Sequence, residues 1–117
     1  MADPRIRTIK IKTGVVRRLA KEKTVYEREA DQQKVRIEKL KSEGKDEYNI
    51  KKQEEVLNEC YMMVPDCQRR LVVAYEELKN ILETEQDLKD TEDYLAAQKV
   101  LEDAKSQLPK PGELHMC

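Results

Sequence analysis

The chain has 117 residues and a formal net charge of −1, with 40% charged and only 4% aromatic residues and no Trp or Phe. This length fits one domain, and so few large apolar side chains would fill a compact globular core poorly. Long helices suit such a composition better. The apolar residues recur with a helical period, which disordered chains lack, so we expect an all-α fold for the main body.

The first predicted helix runs from about residue 4 to about residue 42. Pro4 is tolerated in a first helical turn. One heptad position is occupied by Ile9, Val16, Ala30 and Ile37, and the position three later by Leu19, Tyr26 and Leu40. Lys23 and Gln33 interrupt this seam. The alternation of "IKIKT" at residues 9–13 and the helix-weakening Gly14 leave an edge strand as an alternative there.

The second predicted helix spans about 46–84 and has the clearest pattern. Gly44 can close the preceding helix in the left-handed conformation, and Asp46 can cap the new one. The seam has nine members: Ile50, Leu57, Val64, Leu71 and Leu78 at one position and Cys60, Cys67, Ala74 and Ile81 three residues later. Pro65 interrupts the backbone hydrogen bonding, but the heptad register continues unchanged beyond it. We therefore predict a helix that is kinked at Pro65 and not broken.

The third predicted helix covers about 90–107, with Thr91 or Asp90 as its cap. Its seam is two residues out of step with the second, so a turn must lie between about 83 and 90. The members of this seam are Tyr94, Ala97, Leu101, Ala104 and Leu108. We expect the tail 109–117, which contains two prolines and a glycine, to be disordered.

These three helices predict an antiparallel three-helix bundle that forms an elongated rod over residues 1–108. Charge supports that order, because residues 1–23 carry eight Lys or Arg against two acids, and residues 76–105 carry ten acids against four Lys. Pairing between these two segments is the favoured interpretation. Binding of the basic segment to nucleic acid is the alternative, but interleaved aromatics, a glycine-rich loop and zinc-ligand spacing are missing, so we expect no nucleic-acid partner.

Catalytic and metal-binding chemistry finds little support in the sequence. A narrow rod offers no concave site, so we expect no enzyme activity and no cofactor. His115 is the sole histidine and lies in the tail, and cysteines on a helical seam usually serve as small apolar residues. We therefore predict no metal site.

The compartment is predicted from what the sequence lacks. No apolar run approaches the length of about 18 residues that a membrane span requires, and the first residues of the chain do not resemble a signal peptide. Cys60 and Cys67 would lie about 10 Å apart along a helix, too far for a disulfide, which fits a reducing compartment. We expect a cytoplasmic protein that has no contact with membranes.

The segment "CYMMVPDCQRRL" at residues 60–71 suggests a docking surface. Heptad counting places several residues on the outward side of the second helix, where apolar groups need an explanation. The candidate partner-binding residues are Met62, Pro65, Asp66, Arg69, Val72, Val73 and Glu76. The competing interpretation is that Met62 and Val72 only widen the buried stripe.

The stretches "MADPRIRTIKIKTGVVRRLAKEK", "YNIKKQEEVL" and "MMVPDCQRRL" together resemble the tubulin-binding cofactor A family over residues 1 to about 108. This resemblance implies a cytosolic, cytoskeleton-associated chaperone that captures β-tubulin released from the cytosolic chaperonin and passes it towards assembly with α-tubulin. It also implies a helical bundle with a proline-kinked middle helix and no nucleotide hydrolysis, and it allows other tubulin-folding cofactors as partners.

Two points stay open at the level of the sequence. The family contains monomers and dimers, and we favour a monomer because a closed three-helix core buries its own seams. The alternative function is a structural coiled-coil adaptor or oligomerisation module, which would favour uninterrupted apolar seams without a central proline.

Overall fold

The computed structural model describes residues 3–108, and the tail 109–117 lies outside the described residues, so its predicted disorder stays a prediction. Three α-helices account for most of the described chain. They are α1 (Pro4–Ser42), α2 (Glu47–Thr84) and α3 (Glu92–Lys105), and a single 3-10 turn at Gln86–Leu88 lies between the last two. The all-α class is confirmed. The alternation in "IKIKT" is part of α1, so the alternative of an edge strand is wrong.

Each helix begins at a side chain that accepts a hydrogen bond from one of the free backbone N–H groups of the first turn. Asp3 accepts a hydrogen bond from the N–H of Arg5 at 2.9 Å, a cap that we did not predict. Asp46 caps α2 through the N–H of Tyr48 at 3.1 Å, as predicted. Of the two residues proposed as the cap of α3, Thr91 is the one that caps the helix, because its Oγ1 accepts a hydrogen bond from the N–H of Tyr94.

The reversal between α1 and α2 depends on Gly44. Its φ is +66°, the left-handed conformation that side chains with a Cβ rarely adopt. The N–H of Gly44 donates to the carbonyl of Lys41 and that of Lys45 to the carbonyl of Leu40, so the last carbonyls of α1 keep partners. The chain therefore turns back within four residues, and α2 runs antiparallel to α1.

Helix α2 continues through Pro65 over its full 38 residues. The prediction that the helix does not break is confirmed. Because proline has no N–H, the carbonyl of Tyr61 loses the donor that residue 65 would otherwise supply. The seam on either side of Pro65 keeps one phase, which is what lets both halves of α2 pack on α1.

Contacts at both ends show that α3 runs parallel to α1. Near its start, Asp93 lies 3.9 Å from Nζ of Lys10. Near its end, Oε1 of Gln107 accepts a hydrogen bond from Nζ of Lys23 at 3.4 Å. The helices therefore run up, down and up, and the molecule measures 64 × 31 × 18 Å, which confirms the predicted rod.

Helix α3 has only 14 residues, so it covers one half of the longer α1–α2 hairpin. We call this the covered half (residues 4–24 and 67–84 with α3) and the remainder the open half (residues 25–42 and 47–66). The continuous apolar core lies in the covered half. Its buried members are Ile9, Val16, Leu19, Leu71, Ala74, Leu78, Leu82, Leu88, Tyr94, Ala97, Val100, Leu101 and Ala104.

The open half is packed less completely. The expectation that the whole stripe of α2 is buried is wrong there, because only α1 covers it. All four members of the stripe that lie in this half are only half-buried: Ile50, Leu57, Cys60 and Val64. Ala30 and Ile37 of α1 are buried, and between them Gln33 bonds to α2 through its side-chain amide.

The charge pairing predicted between the two ends of the sequence is present. Nη1 of Arg5 lies 2.6 Å from a carboxylate oxygen of Glu85 and 2.9 Å from one of Asp87. Lys12 pairs with Glu77 at 3.3 Å. These partly exposed pairs each contribute little free energy, up to about 1 kcal/mol, but they favour the antiparallel order over the alternatives.

Candidate functional site

The seven predicted docking residues all lie on α2, but their exposure differs. Met62 is 72% exposed and Val73 is 62% exposed. They are eleven residues apart, about three helical turns, so they project from the same face of the helix. A methionine this exposed cannot widen a buried stripe, and that interpretation is wrong for Met62.

Val72 and Asp66 are half-buried, so the prediction that they face outward is only partly right. Pro65, Arg69 and Glu76 are exposed as predicted. Heptad counting assigned six of the seven, all but Glu76, to one outward side. A helix that touches neighbours on both flanks leaves a narrower free face than that pattern suggests.

One group of these residues meets at a groove between α1 and α2, which we call the Arg69 groove. Its volume is about 400 Å³. It is lined by Val15, Leu19, Asp66, Arg69, Arg70, Val73, Ala74 and Glu77. No residue of α3 contributes, so the groove lies on the side of the hairpin that α3 leaves uncovered. Its floor is aliphatic and its rim is charged.

Asp66 organises the rim of the Arg69 groove. Its two carboxylate oxygens lie 3.6 Å from Nη2 of Arg69 and 3.2 Å from Nη2 of Arg70. These i, i+3 and i, i+4 pairs orient two guanidinium groups along one helix turn. The rim therefore presents planar donors beside the exposed Val73, the mixture of apolar and arginine contacts typical of protein interfaces.

Pro65 faces a different groove, on the other side of the hairpin. We call it the open-groove, and its volume is about 410 Å³. It is lined by Glu27, Ala30, Asp31, Tyr61, Val64 and Pro65. The structure thus brings Asp66, Arg69 and Val73 together and separates Pro65 from them. Met62, Val72 and Glu76 line neither groove.

Exposed apolar residues that the sequence reasoning did not select also lie on the open half. Tyr61 is 47% exposed and Val56 is 45% exposed on α2, and Val35 is 65% exposed on α1. Tyr61 and Val56 directly flank seam positions, so the pattern alone gives them no distinctive signal.

The described residues also bear on metal binding, thiol reactivity and membrane insertion. Within residues 3–108, no group of three or more His, Cys, Asp or Glu side chains is placed to hold a metal ion. Burial raises the pKa of the Cys67 thiol, and the nearby carboxylates of Glu22 and Asp66 add to the effect, so the thiol is a poor nucleophile. Over the same residues, no helix is both long and apolar enough to cross a bilayer.

Comparison with known proteins gives a clear family match. Residues 4–101 match the family model "Tubulin binding cofactor A". A chicken (Gallus gallus) protein, "Tubulin-specific chaperone A", is 58% identical over 105 residues, which cover 90% of this chain and 97% of the relative.

Solved structures give the same result. The human tubulin chaperone cofactor A has 57% identity and a TM-score of 0.76, covering 87% of this chain and 99% of that one. Tubulin folding cofactor A from Arabidopsis thaliana has 36% identity and a TM-score of 0.80, covering 89% and 98%. With this identity over nearly the full length of its relatives and the same helical fold, the chain belongs to the tubulin-binding cofactor A family of tubulin-folding chaperones.

Proposed function

We propose that this protein is a tubulin-folding chaperone that captures β-tubulin released from the cytosolic chaperonin and holds it for later assembly with α-tubulin. The observation that carries the proposal is its membership of the tubulin-binding cofactor A family. The relatives' names specify tubulin, and β-tubulin as the captured chain is our proposal.

The outward face of α2 is the surface we propose for β-tubulin. Met62 and Val73 supply exposed apolar contact area, and Arg69 and Glu76 supply charged groups on the same face. A methionine adapts its shape to an irregular partner, and arginine adds planar hydrogen bonding. An unfinished client exposes apolar surface that would otherwise aggregate, and such a face can shield it.

The rigidity of the rod supports this role. Leu71 and Leu78 are fully buried against the neighbouring helices, directly beneath the second half of the proposed face. A face that is already ordered loses little conformational entropy when it binds. The client therefore meets a preformed surface, and release needs only the loss of contacts, without nucleotide hydrolysis.

The test replaces Met62 and Val73 with Asp, singly and together, and measures co-migration with β-tubulin on gel filtration. Both side chains are solvent-exposed, so the variants should fold, which circular dichroism checks. We expect binding to weaken at least about tenfold in the double variant, the size expected for apolar anchors of an interface. Val35→Asp is the matched control, because Val35 is equally exposed but lies on α1.

Three outcomes would count against the proposal. Normal β-tubulin binding by the folded double variant would remove the outward face of α2 as the docking surface. A wild-type protein that fails to bind β-tubulin at all would remove the client itself. Equal weakening by Val35→Asp would show that the effect is not specific to α2.

We also propose that the protein works as a cytoplasmic monomer. The covered half buries its own seams, and Lys23 and Gln33 place polar groups on the seam of α1, which weighs against a continuous oligomerising coiled coil. Light scattering on the purified protein separates this from the adaptor alternative, which requires a stable oligomer. A molar mass of two or more chains at micromolar concentration would favour the adaptor.

A further inference from the structure

The open-groove continues the path of α3 along the hairpin. On α1, the residues beside α3 include Arg17, Ala20 and Thr24. The same stripe continues at i+3 and i+4 spacing to Glu27 and Asp31, which line the open-groove. The hairpin thus offers one long groove, of which α3 fills only the first part.

A chain of polar contacts joins the end of α3 to the mouth of the open-groove. Gln107 accepts from Nζ of Lys23 at 3.4 Å, and the same ammonium lies 3.3 Å from a carboxylate oxygen of Glu27. Glu27 is itself a lining residue of the open-groove. A helix placed in that groove would therefore lie end to end with α3 on an interface that the fold already uses.

The lining of the open-groove specifies the occupant. Its floor is formed by the small or compact side chains Ala30, Val64 and Pro65, which permit close approach of a helix. Two of its lining residues are acidic, Glu27 and Asp31, and Glu27 already pairs with Lys23. The second carboxylate, that of Asp31, therefore favours an occupant that carries positive charge.

We infer that the open-groove is a second docking surface, which binds a basic amphipathic helix of a partner protein in line with α3. The partner's seam would carry small and aliphatic residues, as α3 does with Ala97, Leu101 and Ala104. Lysine or arginine on its flank would face the carboxylates of Asp31 and Glu27. This helix-in-groove binding buries the half-exposed Val64 and Tyr61. The inference does not depend on the identity of the client that we propose for the outward face of α2.

The probe is a labelled synthetic helical peptide of about 18 residues, about 27 Å long, which matches the open half. It repeats the Ala and Leu spacing of α3 and carries Lys along one flank. Fluorescence anisotropy with the full chain measures its binding. A peptide of identical composition with a scrambled seam reports binding by charge alone, and we expect it to bind at least about tenfold more weakly.

A pair of variants tests the location. Asp31→Lys places positive charge on the open-groove, and Glu29→Lys makes the same change of charge on the opposite face of α1, where Glu29 lines a different depression. Both residues are exposed, so both variants should keep the helical fold. We expect Asp31→Lys to weaken peptide binding about tenfold and Glu29→Lys to change it less than about twofold.

Equal effects of the two variants, or equal binding of the scrambled peptide, would overturn the inference. The inference would also fail if the wild-type chain self-associates and Asp31→Lys, but not Glu29→Lys, converts it to a monomer. The occupant of the groove would then be a second copy of this chain. Replacing Leu114 and Met116 of the full chain with Asp tests the chain's own tail as occupant. If that change raised peptide affinity about tenfold, the tail would fill the groove and the partner helix would be excluded.

Discussion

The side-chain amide of Gln33 donates hydrogen bonds to both the backbone carbonyl and the side-chain carbonyl of Gln53, at 3.0 and 2.7 Å. This contact joins α1 to α2 in the middle of the open half. Arg36 donates to Oε1 of Gln33 at 3.0 Å, so the buried amide has partners for both its donor and its acceptor. A satisfied polar group at a seam position fixes register, because any shift of the helices would leave it unpaired.

Replacement of Gln33 tests this role. Gln33→Ala removes the hydrogen bonds and leaves a small cavity, so we expect a loss of about 1 to 2 kcal/mol in the free energy of unfolding, measured by chemical denaturation. The double variant Gln33→Leu, Gln53→Leu replaces both partners by apolar groups, and we expect it to be at least as stable as wild type. We also expect it to self-associate in sedimentation experiments. A double variant that is strictly monomeric would show that Gln33 does not limit association.

Acid should weaken the start of α1. The hydrogen bonds from Arg5 hold the pKa of Asp3 below its usual range. A lowered pKa in the folded protein means that ionised Asp3 stabilises the fold above its unfolded pKa, about 4, and that this contribution is lost as pH falls through the folded value. Asp3→Asn keeps a capping oxygen but no charge. We therefore expect the difference in melting temperature between wild type and Asp3→Asn to shrink as pH falls from about 6 to about 2.

The two seam cysteines should differ in reactivity. Cys67 is buried, with a raised pKa, whereas Cys60 is half-buried in the open half. Alkylation requires both thiolate and access, so we expect iodoacetamide at neutral pH to modify Cys60 at least about tenfold faster than Cys67, as followed by peptide mapping. Denaturant should abolish the difference. Equal rates in the native protein would mean that α1 and α2 separate readily in this region.

Pro65→Ala should stabilise the protein. Alanine restores an N–H for the carbonyl of Tyr61 and removes the ring from the helix interior, where proline costs about 3 kcal/mol. Part of this gain is offset because proline also restricts the unfolded chain, by up to about 1 kcal/mol. We expect a net rise of about 1 to 2 kcal/mol in the free energy of unfolding. Asn58→Ala, also on the exposed part of α2, is the control for helix propensity and should change stability by less than about 0.7 kcal/mol.

Much of the fold followed from local pattern. The heptad phase placed a turn between residues 83 and 90, and the structure has its 3-10 turn at Gln86–Leu88. The register on both sides of Pro65 indicated one continuous helix, which is what α2 forms. Asp46 caps α2, and Gly44 adopts the left-handed conformation at the preceding turn, as their residue types predicted. These features depend on interactions within a few residues of each other, and the sequence records them directly.

The candidate site was less accessible to that reasoning. Met62, Val72 and Pro65 share the outward side of a helical wheel, yet Met62 protrudes, Val72 is half-buried and Pro65 lines a groove. A heptad pattern says which side of α2 meets α1. It does not say on which flank of the pair a third helix packs, because both flanks present similar edges of the same seams.

The sequence by itself determined the three helices, their ends, their antiparallel order through complementary charge, and the family to which the chain belongs. Only the tertiary structure decided that α3 covers half of the hairpin. Cys67 lies in the covered half and is buried, whereas Cys60 lies in the open half and is only half-buried, although the two share a heptad position. The physical reason is that burial depends on which neighbours reach a side chain in space, and a helix of 14 residues cannot reach along one of 39.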